Sequence, residues 1–487
     1  MTHPSFRFFR PAVAVIGLAA LAACGGGGGV SSAPPPVPEP TRPQDARVFT
    51  PVVEATFAAL TGSTVDTDRW TGVQNNAAYR IEVPKTGWNG KLVMWVHGYR
   101  GTGPNLTVDT PIMRRYLLDN GYAWAASSYT KNYYDVRAGV EDTNALALNF
   151  SAIATAKGRP LATPSKIFIT GVSMGGHIIG AAIDAEAQAT ANNKVKYAGA
   201  VPMCGVMGDT ELFNYFGGYQ VTAQQLAGVP LTKFPSTDFA AITPTIQTAL
   251  WSTFPTQTNA QGDKLKNVVM NLSGGERPFY NEGWANAGNQ GNIFASLGGD
   301  GSINGILNDN VLDTTGLFYK VDASSTATTS VDTAFNTAAF KITPTADANR
   351  LRRDGLRWIP LTSANISIPV VSIHTLGDLF VPFKMEQVYF DRAKANGTDK
   401  FLVQRAIRDV GHCAFTAAEA TTAFDDMVKW EAGGPKPAGD DVKTAATVAS
   451  PTYGCAFTKN TPSTEDYTPP AGRAAFQAGY PACPVTN

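Results

Sequence analysis

The stretch FITGVSMGGHIIGAA, residues 168–182, contains a serine placed between glycines. It begins as an apolar, strand-like run, passes through a cluster of glycines and continues as a helix of small residues. Ser173 lies in the middle, with Gly171 two residues before it and Gly175 two residues after it. The pattern G-x-S-x-G is short and arises by chance in glycine-rich chains, so the role of Ser173 depends on the segments around it.

Apolar, strand-like runs alternate with helical patterns on both sides of this stretch. We expect strands at the following positions: 79–84, 91–98, 123–129, 166–171, 196–205, 368–378 and 400–412. Apolar runs that alternate with helices are typical of a parallel sheet buried on both faces. The sequence therefore predicts an α/β fold with a mostly parallel central sheet flanked by helices.

The alternation is interrupted after Gly205. The segment that follows is rich in Thr, Asn, Gly and aromatic residues, and strands and helices do not alternate clearly until residue 368. We therefore expect an α/β core at 47–205 and 356–433, a large cap inserted at 206–355, and an irregular C-terminal tail at 434–487.

The first residues predict export to the cell envelope. Two arginines precede an apolar run that is too short to span a bilayer, so residues 1–24 are typical of a signal peptide. Their ending, LAAC, resembles a bacterial lipobox, which implies that Cys24 is lipidated; an ordinary cleaved signal is the alternative. Residues 25–46 are rich in Gly and Pro and predict a flexible tether. By resemblance to lipoprotein sorting, Gly25 points to the outer membrane, with secretion as the other possibility.

Charge gives no indication of a nucleic-acid partner. The chain has 487 residues, 39 basic and 39 acidic, and its basic residues are scattered. A polyanion site needs clustered positive charge. We expect a monomer whose partners are an ester substrate, small or polymeric, and the membrane that holds its lipid anchor.

Ser173 is predicted to be a nucleophile because a buried strand turns there into a helix. Such a turn exposes the hydroxyl at the helix N-terminus and leaves no room for side chains at the flanking glycines. His412 is the general base by elimination, because it alone lies in a loop after a strand. The other four histidines lie in the signal peptide, at a strand end, at a helix start and inside a strand: His3, His97, His177 and His374.

The acid that orients His412 should follow a strand and lie between the serine and the histidine. Asp378, in the segment SIHTLGDLFVP, meets both conditions. Asp409 is the main competitor, but it is only three residues from His412, and Asp209 is the third choice.

The order Ser173, Asp378, His412 on alternating strands and helices resembles the α/β-hydrolase superfamily over roughly 75–205 and 365–432. HGYRG, residues 97–101, resembles the oxyanion-loop motif of that superfamily. The resemblance implies that the backbone N–H groups of Tyr99 and Met174 hold the oxyanion, with Gly98 as an alternative to Tyr99. The segments GHCAF and HTLGDLFVP are also similar to a group of secreted bacterial hydrolases of unsettled substrate.

These residues predict a serine esterase that works through an acyl-enzyme, without cofactor or metal. A serine peptidase on the same fold and a catalytically silent surface lipoprotein are the alternatives. Residues 300–311, DGSINGILNDNV, half match a calcium loop, but Val311 stands where a bidentate Glu is needed, so we interpret them as a turn. Aromatic residues of the insertion suggest an apolar or aromatic substrate pocket: Phe213, Tyr215, Phe216, Tyr219, Trp251, Phe254, Tyr280, Trp284, Phe318 and Tyr319.

Export makes disulfides possible for the remaining four cysteines, which allow three pairings. Cys204 and Cys413 are expected at the same sheet edge as the catalytic loops, and Cys455 and Cys483 lie together in the tail. We therefore expect the bridges Cys204–Cys413 and Cys455–Cys483, the first bracing the histidine loop and the second affecting only the tail.

Overall fold

The computed structural model describes residues 41, 43–299, 310–466 and 470–483, which belong to one structural unit that starts at Thr41. The signal peptide, Cys24 and most of the tether lie outside the described residues. So do positions 300–309 of the segment interpreted above as a turn.

Eight strands form the central sheet. In chain order they are β1 (Thr67–Gln74), β2 (Ala77–Pro84), β3 (Lys91–Val96), β4 (Ala123–Ser127), β5 (Lys166–Val172), β6 (Gly199–Met203), β7 (Val370–Thr375) and β8 (Leu402–Ile407). Their order across the sheet is β8-β7-β6-β5-β3-β4-β2-β1. All neighbouring pairs from β8 to β4 are parallel, whereas β2 pairs antiparallel with both β4 and β1.

The sheet is buried on both faces, as its continuous apolar runs predict. In β3, Leu92, Met94 and Val96 pack into one hydrophobic cluster, and Val93 and Trp95 pack into a second one on the other side. Successive side chains of a strand point to opposite faces, so both faces of β3 lie in a core.

Helices that connect the strands of the α/β core cover these faces. They are α1 (Arg114–Asp119), α2 (Val136–Ala156), α3 (Met174–Ala182), α4 (Ala185–Thr190), α11 (Lys384–Asn396) and α12 (Ala417–Glu431). Three of them, α2, α4 and α12, begin with a side-chain N-terminal cap. The Asp135 side chain accepts a hydrogen bond from the Ala138 N–H before α2, and Thr416 and Glu419 form a capping box before α12.

The segment between β6 and β7 is mainly helical. It contains α5 (Glu211–Leu226), α6 (Phe239–Leu250), α7 (Ala260–Leu272), α8 (Tyr280–Trp284), α9 (Ala287–Ser296) and α10 (Ser330–Ala338). A short antiparallel pair, Trp251–Thr253 with Gln257–Thr258, interrupts the helices. The expected insertion at 206–355 therefore corresponds to a set of helices between two neighbouring strands of the sheet.

The C-terminal segment, described at residues 434–466 and 470–483, contains α13 (Ala445–Val448) and α14 (Pro470–Gln477) and covers the edge strand β8. The Asp440 N–H donates to the Gln404 carbonyl, and the Ala406 N–H donates to the Asp440 carboxylate, both at 2.8 Å. These contacts satisfy backbone groups that an edge strand otherwise leaves open.

The chain has the α/β-hydrolase fold that the resemblance implied. The parallel strands β3 to β8 carry Ser173 at the turn from β5 to α3, with the histidine and acid loops after β8 and β7. Within the described part of the chain, no helix combines the length and the apolar character that a membrane span requires.

Candidate active site

Ser173 occupies the turn between β5 and α3 in a strained backbone conformation. Its φ and ψ are 59° and −124°, a region that residues with a side chain rarely adopt. The Ser173 N–H donates to the Met203 carbonyl at 3.0 Å, which ties the turn to the neighbouring strand β6. The hydroxyl therefore stands at the carboxyl end of the sheet and at the N-terminus of α3.

The glycines on both sides of Ser173 are required by the close approach of β3. A Cβ at Gly171 would lie 2.0 Å from the Val96 carbonyl oxygen, and a Cβ at Gly175 would lie 2.2 Å from the same atom. Both distances are far below van der Waals contact, so a side chain at either position would displace the strand.

The structure brings Ser173, His412 and Asp378 into one chain of hydrogen bonds. His412 Nε2 is 2.8 Å from Ser173 Oγ, and His412 Nδ1 is 2.6 Å from Asp378 Oδ2. Asp378 is completely buried, whereas the His412 side chain is 17% exposed and Ser173 is half-buried. This is the arrangement in which a histidine removes a proton from a serine hydroxyl.

The Asp378 carboxylate is held in one orientation by its own loop. Its Oδ1 accepts hydrogen bonds from the backbone N–H groups of Phe380 at 2.9 Å and Val381 at 3.0 Å. Its Oδ2 is thereby left facing the His412 ring, so the carboxylate fixes the Nδ1–H tautomer of the histidine.

The two competing acids have other partners. Asp409 accepts from the backbone N–H groups of Val410 and Gly411 through Oδ1, and from Arg473 Nε through Oδ2 at 2.6 Å. Asp209 pairs with Arg392 at 2.7 Å. The structure therefore brings neither acid to the histidine ring.

The other described histidines are buried and have structural contacts. His97 stacks on Tyr129 with ring centroids 4.1 Å apart, and burial lowers its pKa to about 4. His177 accepts from the Tyr134 hydroxyl at 2.8 Å and donates to a backbone carbonyl, and burial lowers its pKa as well. Neither ring is placed to act as a base on Ser173.

The predicted oxyanion loop lies against Ser173. A Cβ added to Gly98 would be 3.0 Å from Ser173 Cβ, so the backbone at 98–99 passes directly beside the serine. Met174 is the first residue of α3, and the first N–H groups of a helix have no acceptor within it. Both expected donors, Tyr99 and Met174, thus belong to segments that meet at Ser173, and their role remains a prediction.

The structure forms both of the expected disulfides. Cys204 and Cys413 are joined with their Cα atoms 5.3 Å apart, and Cys455 and Cys483 with theirs 5.1 Å apart. The Cys413 sulfur lies 3.3 Å from His412 Nε2. Although Cys204, His412 and Cys413 are clustered closely enough to bind a metal, both sulfurs belong to the disulfide and offer no thiolate.

A buried histidine–glutamate pair lies beneath Asp378 and was not predicted from the sequence. His374 Nε2 donates to the Val381 carbonyl at 2.8 Å and is 3.8 Å from Asp378 Oδ2, while its Nδ1 is 3.4 Å from Glu386 Oε1. Burial lowers the pKa of His374, but Glu386 and Asp378 outweigh it and raise that pKa above its ordinary value. No sequence pattern indicates this pair, because Glu386 lies in the amphipathic helix α11, where a glutamate is expected on the exposed face.

Aromatic side chains border the histidine. The half-buried Phe380 meets the His412 ring edge to face, with centroids 5.2 Å apart, and Phe216 of the insertion stacks on Phe380 at 5.8 Å. Other aromatic residues of the insertion pack with one another in its core, among them Tyr219, Trp251 and Trp284. Phe216 is thus the member of the predicted aromatic set that connects to the site through Phe380.

No family model matches the chain. A curated protein, o-phthalyl amidase of Xanthobacter agilis, is 34% identical over 62 residues, which make up 13% of this chain and 14% of that protein. The match therefore covers only a small part of either chain.

Several solved hydrolase structures are similar to this chain. An acylaminoacyl peptidase of Pyrococcus horikoshii has a TM-score of 0.38 at 11% identity, covering 79% of this chain and 44% of that one. Feruloyl esterase B of Aspergillus oryzae has a TM-score of 0.39 at 14% identity, covering 80% and 86%. An esterase of Aspergillus oryzae has a TM-score of 0.41 at 10% identity, covering 76% and 80%.

Proposed function

We propose that this protein hydrolyses carboxylic esters through an acyl-enzyme formed on Ser173. The observation that carries the proposal is the continuous hydrogen-bond chain from Ser173 Oγ through His412 to Asp378, with distances of 2.8 and 2.6 Å. A serine activated in this way attacks carbonyl carbon, and the strained turn holds its oxygen clear of the backbone.

In this mechanism, His412 Nε2 takes the Ser173 proton as Oγ attacks the ester carbonyl. The negative charge of the tetrahedral intermediate falls on the substrate oxygen, where the backbone N–H groups of Tyr99 and Met174 are the proposed donors. In related systems, loss of one such donor costs about 3–4 kcal/mol. His412 then passes the proton to the leaving alcohol, and the same residues activate a water molecule that releases the acid.

We infer an apolar or aromatic ester as the substrate class. Phe380 and Phe216 form an aromatic surface next to the His412 ring, on which an apolar leaving group or acyl chain can pack. For the cellular location we propose the bacterial envelope, with Cys24 as the lipid anchor or with the protein secreted. Two disulfides are consistent with an oxidising compartment.

Amide hydrolysis is the second candidate. It is favoured by the short match to o-phthalyl amidase, which is 34% identical over 62 residues. A serine peptidase would use the same serine, histidine and aspartate and would differ in the group that receives the proton from His412. A silent binding protein is disfavoured because it has no need of a strained serine aligned with a histidine.

Labelling with a fluorophosphonate, followed by a substrate panel, tests the proposal. The wild type should be labelled, and so should the control Ser165→Ala, which changes an exposed serine directly before β5. Ser173→Ala should be neither labelled nor active beyond the residual catalysis of its oxyanion hole. The panel contains aryl esters, short and long alkyl esters, polyesters, peptides and a phthalyl amide. An unlabelled wild type contradicts the proposed function, and faster turnover of amides than of esters favours the second candidate.

A further inference from the structure

One arginine from the C-terminal segment holds the loop of His412 on both sides. Arg473, in α14, is completely buried. Its Nε donates to Asp409 Oδ2 at 2.6 Å, three residues before the histidine, and its Nη2 donates to the Ala414 carbonyl at 2.6 Å, two residues after it. A single planar group thus spans the base of the loop.

The same guanidinium also fixes the start of α12, the helix that follows the loop. Arg473 Nη1 donates to Glu419 Oε1 at 2.6 Å, and Nη2 donates to Glu419 Oε2 at 3.1 Å. Glu419 in turn accepts from the backbone N–H groups of Thr416 and Lys459. The arginine therefore joins the loop, the first turn of α12 and the C-terminal segment in one buried network.

Arginine suits this position because its donors are arranged in a rigid fork. It reaches two buried carboxylates and a carbonyl at once, whereas a lysine offers a single ammonium at the end of a flexible chain. Removing one partner of a buried ion pair leaves an uncompensated charge, so the remaining groups have to move. Here those groups are the two ends of the loop that carries His412.

The C-terminal segment is itself fastened to the same loop region. Arg408, directly after β8, contacts the sulfurs of Cys455 at 2.5 Å and Cys483 at 2.9 Å, and its carbonyl accepts a hydrogen bond from the Gln477 side chain at 3.0 Å. The disulfide between Cys455 and Cys483 thus lies against the residue next to Asp409. The bridge that the sequence analysis expected to affect only the tail thus also contacts a residue outside the tail, Arg408.

We propose that Arg473 is a positioning residue for His412, and that the C-terminal segment is thereby part of the catalytic unit. The inference rests on the proposed function, because it assigns a role in the same site. Arg473 touches none of the three reacting side chains in the described contacts; it acts through the loop. Displacement of a catalytic group by about 1 Å can cost about 100-fold in rate.

The test compares Arg473→Gln with Arg114→Gln in the full-length protein. Arg114 is an equivalent control: it is buried, pairs with Glu82 at 2.7 Å and donates to the Ala58 carbonyl, and it lies near the opposite edge of the sheet. For each variant, kcat and KM are measured with an aryl ester. The rate of Ser173 labelling is measured with a fluorophosphonate, and the folded fraction is measured by thermal unfolding.

We expect Arg473→Gln to lower kcat and the labelling rate by about 100-fold per folded molecule, with KM within about twofold of the wild type. Arg114→Gln should stay within about threefold of the wild type on the same basis. Arg473→Lys keeps the charge but cannot span all three acceptors, so its loss should be intermediate.

Equal labelling rates for Arg473→Gln and the wild type would overturn the inference, as would equal losses in Arg473→Gln and Arg114→Gln. If Arg473→Gln does not accumulate as folded protein, Arg473→Lys decides: unchanged kcat and labelling in that variant overturn the inference. A wild type that is not labelled at all contradicts the proposed function instead, so the two failures are distinguishable.

Discussion

Replacing Asp378 by asparagine should remove most of the activity without unfolding the protein. The reason lies in the two backbone N–H groups, of Phe380 and Val381, that donate to Asp378 Oδ1 at 2.9 and 3.0 Å. An asparagine has to direct its amide oxygen toward these two N–H groups, because its NH₂ group is a donor and cannot accept their hydrogen bonds. The NH₂ group then points at His412 Nδ1.

This orientation forces the wrong tautomer on the histidine. Facing a donor, His412 Nδ1 has to act as an acceptor, so the ring proton moves to Nε2, the atom that is 2.8 Å from Ser173 Oγ. A protonated Nε2 cannot take the serine proton. A change of tautomer of this kind lowers kcat by about 10⁴-fold in a serine protease, which corresponds to about 5 kcal/mol in the activation barrier.

Asp409→Asn is the matched control for this variant. In the wild type, Asp409 Oδ1 also accepts hydrogen bonds from two backbone N–H groups, but Asp409 Oδ2 faces Arg473 rather than His412. We expect a loss of about 10- to 100-fold in kcat for Asp409→Asn, measured with the same aryl ester and corrected for folded fraction. A larger loss in Asp409→Asn than in Asp378→Asn would refute the assignment of the acid, and so would Asp378→Asn within tenfold of the wild type.

Three further predictions concern other parts of the chain. Changing Cys204 and Cys413 to Ala should lower the free energy of unfolding by up to about 5 kcal/mol in the chain-entropy model, because the two residues are 209 positions apart. When this variant is heated, its ester turnover should fall at a lower temperature than its unfolding midpoint. Cys24→Ser should release the protein from membranes or block its processing, as fractionation of cells would show. Burial raises the pKa of Asp142 from 3.8 to about 7, so wild-type stability should fall as pH rises from about 4 to 7. Urea unfolding at pH 5 and pH 8 measures this difference in the free energy of unfolding, which is on the order of a few kcal/mol in the wild type and should be absent in Asp142→Asn.

Sequence patterns predicted the inner strands well and missed the edge strand β1. β3 and β5 are recognisable because they are buried on both faces and apolar throughout. β1 has the sequence TDRWTGVQ, in which polar residues are buried or half-buried and the apolar Val73 is exposed, and so it lacks this signature. A local signal was nevertheless present: Asn75 and Asn76 connect β1 and β2 with φ angles of 49° and 69°, which is typical of a tight hairpin turn.

The helices of the insertion were hidden for a related reason. α5, ELFNYFGGYQVTAQQL, is buried around most of its circumference, so it shows no amphipathic period. α6 contains Pro244, which lowers the helix propensity of its segment. Contacts between the helices of the insertion stabilise them, and such contacts cannot be inferred from composition.

Some residues of the candidate site could be predicted from local sequence patterns, whereas others depend on contacts between distant segments. Ser173, Asp378 and His412 were predictable because each follows a strand of the sheet, a position that the order of segments reveals. Arg473 is 64 residues from Asp409, and no spacing rule connects them. The pairing exists only once the C-terminal segment has folded back over β8.

Three residues of the candidate site have a strained backbone. Ser173, Cys204 and Cys413 adopt left-handed φ values of 59°, 45° and 57°. Each such residue costs of order 1–3 kcal/mol and persists only where the surrounding structure enforces it. The disulfide joins two of these residues, Cys204 and Cys413, and Arg473 contacts the loop that contains Cys413 and His412. Because the disulfide and the Arg473 contacts both hold loops at the candidate site, weakening either of them should reduce activity before it unfolds the protein.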